Sequence, residues 1–264
     1  MLELYQFELS HYCEKIRLIL DYKGLPYRKV EVTPGIGQLE VFRMSGQRQV
    51  PVLKDGSEVI ADSTAIAEYL ERKYPDRPII PTEPKLRGLT ILMEQWADES
   101  VGLNARKCML GAMGKDVSFR QAFLPKETPD LLKTVLGSVP NEVFGVLGLG
   151  AGLSPDASKT ALDAMKRDLT ALCFILDQQP FLVTDHPTLA DFAVAALTMY
   201  VKFPSGDYLD LPDGLKGKGV PGIADVGTFE PFFKWRDSLY ASVRKASATP
   251  AAGSGSGPTS INIE

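Results

Sequence analysis

Hydrophobic and polar positions change rhythm along this chain. LELYQF alternates with a period of about two and predicts a strand. From Cys13 to Lys23 the apolar residues Ile16, Leu18, Ile19 and Leu20 predict a helix, stopped by Gly24 and Pro26. YRKVEV predicts a second strand, QLEVFRM a short helix or turn, PVLK and SEVIA two short strands around Asp55 and Gly56, and STAIAEYLERKY a helix that ends before Pro75. A strand, a crossover helix and a parallel strand, closed by a hairpin and a last helix within about the first 80 residues, fit an α/β thioredoxin-like sheet with helices on both faces.

PDRPIIPTEPK holds four prolines and predicts a stiff linker, because each proline fixes one torsion and withholds an N–H. Strand patterns stop there. Leu86 to Leu110 predicts a helix with Leu89, Leu92, Met93 and Trp96 facing a core, and Ala157 to Gln179 another with Leu162, Met165, Leu169, Leu172 and Leu176 as its apolar stripe. In PTLADFAVAALTMYV, Thr188 and Asp191 have the spacing of a capping box, and Ala193, Ala195, Ala196 and Leu197 predict a close-packed buried helix. The expected architecture is a thioredoxin-like domain over residues 1–77, an all-α domain over 86–246 and a disordered tail over 247–264, where small polar residues dominate. The glycine-rich stretch over 135–155 is broken by Pro140, Asn141 and Glu142, too short a run to span a bilayer, and is expected to form a lid or lobe-closing loop.

Composition narrows the chemistry. The 264 residues carry a net charge of −4 and no dense block of Lys or Arg, which argues against nucleic acid as a partner. The start carries Glu3 and Gln6 where an export signal needs a basic start and an unbroken apolar run. Cys13, Cys108 and Cys173 are far apart and lack metal-ligand spacing, so neither structural disulfides nor a metal are expected, and the compartment expected is a reducing cytoplasm.

The joint between the first strand and first helix reads SHYC, with a hydroxyl and a thiol three residues apart. A helix start offers unpaired N–H groups and a partial positive charge, which favour an anion. Ser10 lies there, and neither His11 nor His186 carries the motif of a hydrolase triad, so Ser10 suits a hydrogen-bond donor better than a nucleophile. The natural client of such a donor is a thiolate. A thiol of pKa ~8.5 is about 3% ionised at pH 7, and lowering that pKa by ~2 takes about 2.7 kcal/mol. One hydrogen bond to a charged group supplies about 1.5 to 3 kcal/mol and a helix terminus up to ~2 kcal/mol. The thiol is either that of Cys13 or one brought by a ligand, and a ligand fits better because Ser10 occupies the exposed place. Plain readings stand beside these: Ser10 as an N-cap, Pro51 as a turn, Asp62 and Ser63 as a helix cap, and Cys13 as a small packing residue.

SHYCEKIRLIL, then QRQVPVL, then ADSTAIAEYL, the proline-rich linker and TLADFAVAAL together resemble the cytosolic glutathione transferase superfamily across both lobes. The resemblance implies glutathione as co-substrate, with Ser10 in the place from which the serine-type classes act on sulfur. It implies that Val50 and Pro51 form a cis-proline turn pairing with the cysteinyl backbone, and that Asp62 and Ser63 bind the γ-glutamyl end. Many relatives place a Lys near Gln38 for the glycyl carboxylate; this chain has Gln38, with Gln49 and Arg48 as substitutes. The implied activity is conjugation of the glutathione thiolate to an apolar electrophile, in a detoxification role, with a second-lobe pocket around Trp96, Met109, Met113 and Phe119 and a homodimer pairing first lobe with second. The alternatives are a glutathione-dependent thiol-disulfide reductase or isomerase using Cys13, and a non-catalytic binding or scaffold protein.

Overall fold

The computed structural model describes residues 1–32, 36–115, 155–211 and 215–244. The expected tail over 247–264, the glycine-rich stretch up to residue 154, and Phe119 lie outside these residues. The chain runs through β1 (Leu2–Gln6), α1 (His11–Tyr22), β2 (Tyr27–Glu31), α2 (Ile36–Ser45), β3 (Val52–Asp55), β4 (Glu58–Ala61) and α3 (Ser63–Lys73). Then come α4 (Pro84–Trp96), a π-helical turn (Ala97–Gly102), α5 (Leu103–Lys115), α6 (Pro155–Gln178), α7 (Leu189–Leu197) and α8 (Glu230–Val243).

The sheet order is β2-β1-β3-β4, with β2 parallel to β1, β3 antiparallel to β1 and β4 antiparallel to β3. Period-two alternation decides which helix each residue meets. Leu2, Leu4 and Leu53 face Ile16, Ile19, Ile66 and Leu70 of α1 and α3, whereas Tyr5 and Val52 face Val41 and Met44 of α2. This is the predicted thioredoxin-like order, with QLEVFRM resolved as part of a helix and α1 beginning two residues earlier than its apolar pattern.

The outer side of α1 is covered by α7, and α7 belongs to two cores. Leu189, Phe192, Ala195 and Ala196 pack with the sheet lobe, while Ala190, Ala193, Val194 and Leu197 pack with the helical lobe. Every residue of α7 is buried, and its alanines allow the close approach that larger side chains would prevent. The capping box that starts it is present. Asp191 accepts the Thr188 N–H at 2.8 Å, the Thr188 hydroxyl at 2.7 Å and the Leu182 N–H at 2.8 Å.

Because α1 is covered on both sides, its charged residues are paired inside the protein. Arg17 is fully buried against Glu14 and Glu8, and Arg244 beyond α8 reaches back to Glu14 at 3.0 Å and Asp21 at 2.7 Å. The linker is fastened too. Lys23 pairs with Glu71 at 2.7 Å and donates to the Tyr74 carbonyl, and Glu71 accepts the N–H groups of Ile79 and Ile80.

Two readings from the sequence need correction. The stretch predicted as one helix over Leu86 to Leu110 is α4 and α5 interrupted by the π turn, and α4 already begins at Pro84 inside the proline-rich linker, where proline suits a first helical turn. Met93 and Trp96 pack on the helical core as expected, but Leu89 and Leu92 are 40% and 66% exposed. Only one side of α4 meets α7, so an apolar pattern on its other side faces outward.

His11, the first residue of α1, is buried with its ring 4.5 Å from Tyr12 and 4.3 Å from Tyr200, and its Nδ1 has no hydrogen-bond partner among the described residues. Burial pushes its pKa down to about 3, the Arg106 charge acts the same way, and a hydrogen bond with the Leu197 backbone opposes them.

Two outcomes follow for stability. Asp191→Ala strands the Leu182 and Thr188 N–H groups in the core and is expected to lower unfolding free energy by about 2 to 4 kcal/mol, read by urea denaturation. Below pH ~6.5 the unfolded chain protonates His11 while the folded chain does not, so stability falls with pH down to the folded value near 3. Wild type should lose about 1 kcal/mol per pH unit more than His11→Gln between pH 6 and 4; equal slopes would refute the buried neutral imidazole.

Candidate active site

Three joints of the first lobe converge on one cleft. At the first, Ser10 is the N-cap of α1, and its Oγ accepts the Cys13 N–H at 3.3 Å. At the second, the chain enters β3 through a cis Val50–Pro51 peptide. At the third, Asp62 adopts φ 80°, a left-handed conformation in which a side chain other than glycine is uncommon, and its Oδ1 accepts the N–H groups of Thr64 and Ala65 at 2.9 and 3.1 Å. That cap does not take the Ser63 N–H, which remains at the start of α3.

Behind Ser63 lies a buried cluster that joins the lobes. Lys15 of α1 is fully buried and donates to Ser63 Oγ at 3.3 Å, Thr64 Oγ1 at 3.5 Å, Glu94 at 2.5 Å and Asp98 at 2.9 Å. Ser63 in turn donates to Asp98 Oδ2 at 3.3 Å. One ammonium thus serves two carboxylates of the helical lobe. Burial and the neighbouring Glu94 push the Asp98 carboxyl pKa up, against the pull of Lys15.

The cleft holds about 730 Å³ and is walled by both lobes. Ser10, Gln38, Gln49, Val50, Pro51, Asp62 and Ser63, all singled out in the sequence, line it together. Cys13 does not. It faces the core behind Ser10 with no exposed surface, and burial pushes its thiol up to about 11, so it is neutral and out of contact with a ligand. Its place one turn into a helix covered on both sides is the reason, and the expectation of a catalytic Cys13 is corrected accordingly. On the opposite wall Met109 and Met113 face the cleft as expected, whereas Trp96 packs on the helical core instead.

The sequence reading missed Tyr12, Asp98, Arg106 and Tyr200, which also line the cleft. A signal existed for Arg106: it interrupts an apolar stripe formed by Leu103, Leu110 and Met113 at helical spacing. Tyr12 and Tyr200 carried no motif, because their roles depend on contacts between distant segments.

Hydrogen-bond partners distinguish the hydroxyls of the wall. Tyr12 donates to the Asp98 carbonyl at 3.0 Å, Tyr200 to the Leu9 carbonyl at 2.6 Å and Ser63 to Asp98. Burial pushes both phenols up to about 12, so neither ionises near neutrality. Ser10 Oγ accepts the Cys13 N–H, and its hydrogen has the Cys13 thiol, a weak acceptor, as partner, so among these hydroxyls it alone donates to no carbonyl or carboxylate among the described residues. The site can therefore give one weakly held hydroxyl hydrogen and a helix N-terminus to an anion beside the start of α1.

Residues 4–78 match the family model of the glutathione S-transferase N-terminal domain, and residues 144–217 that of the C-terminal domain, together more than half of the chain. A zeta-class glutathione S-transferase of Euphorbia esula is 32% identical over 120 residues, 44% of this chain and 53% of the relative. The chain thus spans about half the length of such curated relatives in these matches. The fold is similar to that of the beta-etherase LigF from Sphingobium sp. strain SYK-6, with TM-score 0.63, 21% identity, and 91% and 95% of the two chains covered. It is also similar to a glutathione S-transferase from Methylobacterium radiotolerans JCM 2831 in complex with glutathione sulfonate, with TM-score 0.58, 19% identity, and 95% and 97% covered. The order of the two matched domains, and the sheet, cis-proline turn and helical lobe that carry them, make this chain a member of the cytosolic glutathione transferase superfamily.

Proposed function

We propose that this protein is a glutathione transferase that joins the glutathione thiolate to a largely apolar electrophile held between the lobes. The observation that carries the reading is Ser10, which among the cleft's hydroxyls alone donates to no carbonyl or carboxylate among the described residues, its partner being the weakly accepting Cys13 thiol. Its use as an N-cap consumes a lone pair, and its hydrogen turns from the Cys13 thiol to the stronger acceptor, the sulfur anion of the bound tripeptide. The thiol proton leaves to solvent, the sulfur bonds to the electrophilic carbon, and the leaving group departs with its electron pair. Ser10 and the amides at the start of α1 hold the thiolate charge before attack, so the acceleration comes from ionisation and positioning.

In this reading the γ-glutamyl carboxylate meets the Ser63 N–H and hydroxyl at the start of α3, and its ammonium lies near Asp62. The Val50 backbone pairs with the cysteinyl residue. Arg48, with Gln38 and Gln49, receives the glycyl carboxylate, which otherwise has no cation at that end of the cleft among the described lining residues. Three free cysteines suit a reducing cytoplasm. The reductase alternative loses support from the burial of Cys13.

Ser10→Ala is expected to lower kcat about 10- to 100-fold while glutathione affinity changes by less than about threefold, with the pKa of bound glutathione rising by ~1 to 2 in a titration of thiolate absorbance. Unchanged turnover would remove Ser10 from the mechanism, and absence of glutathione binding at millimolar concentration would favour a non-catalytic role. Cys13→Ser should retain conjugation. Homodimerisation belongs to the same proposal, supported by Leu89 and Leu92, one turn apart on the outward face of α4. Leu92→Glu is expected to move the sedimenting species from dimer to monomer; a wild-type monomer would overturn this part.

A further inference from the structure

We propose that Arg106 recognises an anionic group on the second substrate, so that the electrophiles suited to this cleft pair an apolar body with a carboxylate. The inference rests on the transferase reading above and adds the substrate class. Helix α5 turns Leu103, Arg106, Leu110 and Met113 toward the cleft at intervals of three and four, so a guanidinium stands in the middle of an otherwise apolar wall. A wholly apolar ligand would bury that cation without a partner, which costs affinity, whereas an anion would pair with it.

Its surroundings locate the charge. Arg106 lines the cleft together with His11, Tyr12 and Tyr200 at the start of α1, and its charge pushes the pKa of His11 down and opposes the rise of both phenols. Among the described residues Arg106 has no ion-pair partner. The other cations near the site are engaged differently: Lys15 is buried between Glu94 and Asp98, and Arg48 lies 5.6 Å over the Phe42 ring on the first lobe. The carboxylates lining the cleft with it are Asp98, held by Lys15, Asp62, which caps α3, and Glu99, exposed on the π turn and not within ion-pair distance of Arg106. A planar guanidinium can take a carboxylate through two parallel hydrogen bonds, which fixes the far end of the substrate while sulfur attacks the near end.

The test compares 4-chloro-3-nitrobenzoate with 4-chloro-3-nitrobenzamide. In each, glutathione sulfur bonds to the ring carbon that carries chlorine, chloride leaves with the C–Cl electron pair, the thiol proton passes to solvent, and the carboxylate or amide is unchanged. With each rate divided by its uncatalysed rate, wild type should favour the benzoate by about tenfold in kcat/KM, chiefly through KM and less so as salt is raised. Arg106→Gln should bring that ratio to about one, and Arg106→Lys should keep part of it. An equal ratio in wild type and Arg106→Gln would overturn the inference and leave the transferase reading intact. If neither compound is conjugated, calorimetric titration of wild type and Arg106→Gln with 3-nitrobenzoate and 3-nitrobenzamide separates the two ideas: an Arg106-dependent preference for the benzoate sustains the anion site without the activity, and no preference overturns it.

Discussion

Helix α1 packs its inner side on the sheet and its outer side on α7, so ionisable side chains that a surface helix would give to water lie inside the protein. Glu14, Lys15, Arg17 and Asp21 are all buried, and each needs a partner because an isolated buried charge costs several kcal/mol. Lys15 finds Glu94 and Asp98 on the helical lobe, and Arg244 reaches Glu14 and Asp21 from the chain beyond α8. Such pairs add little to stability compared with apolar packing, but a misplaced one strands its partner. They therefore select one arrangement of the two lobes, and the cleft between them is a product of that selection.

The same constraint sorts the chemistry of the wall. Once Lys15 draws Asp98 against α3, the carboxylate of Asp98 is within reach of Ser63 and its carbonyl within reach of Tyr12. Those contacts occupy hydrogens that might otherwise meet a ligand. Ser10 differs because, as an N-cap, its oxygen accepts a backbone N–H while its hydrogen has only the weakly accepting Cys13 thiol as partner. Cys13, three residues on, is carried by the helix into the core, where its thiol stays protonated. Spacing of three residues is thus enough to separate a group that lines the cleft from one that packs in the core.

Much of this was legible in the sequence and some was not, for definable reasons. The alternation of LELYQF, the hairpin around Gly56 and the capping pair of Thr188 and Asp191 are local patterns, and each produced the element it predicted. Leu89 and Leu92 misled because an apolar side chain is equally consistent with a core and with an exposed face, and periodicity does not distinguish them. The buried Lys15 was invisible for the opposite reason. On sequence alone it reads as a solvated charge in an amphipathic helix, and only the covering of α1 by a helix some 175 residues later reverses that meaning. Tyr12 and Tyr200 belong to the same class of residue, defined by tertiary contact and not by neighbours.

The π turn between α4 and α5 shows how a small irregularity joins these threads. In a regular helix each carbonyl is taken by the N–H four residues on, but a π turn shifts that ladder and frees carbonyls for outside donors. The Asp98 carbonyl is used in this way by Tyr12. The approach also needs Gly102, since a Cβ there would lie 3.1 Å from the Tyr12 hydroxyl and 3.3 Å from Leu197, tighter than such contacts ordinarily are. A Cβ at position 102 would require the Tyr12 hydroxyl and the Leu197 side chain each to give by a few tenths of an ångström. Of the two glycines in the helical pattern over Leu86 to Leu110, Gly88 faces open space and Gly102 marks where a residue from the other lobe comes close.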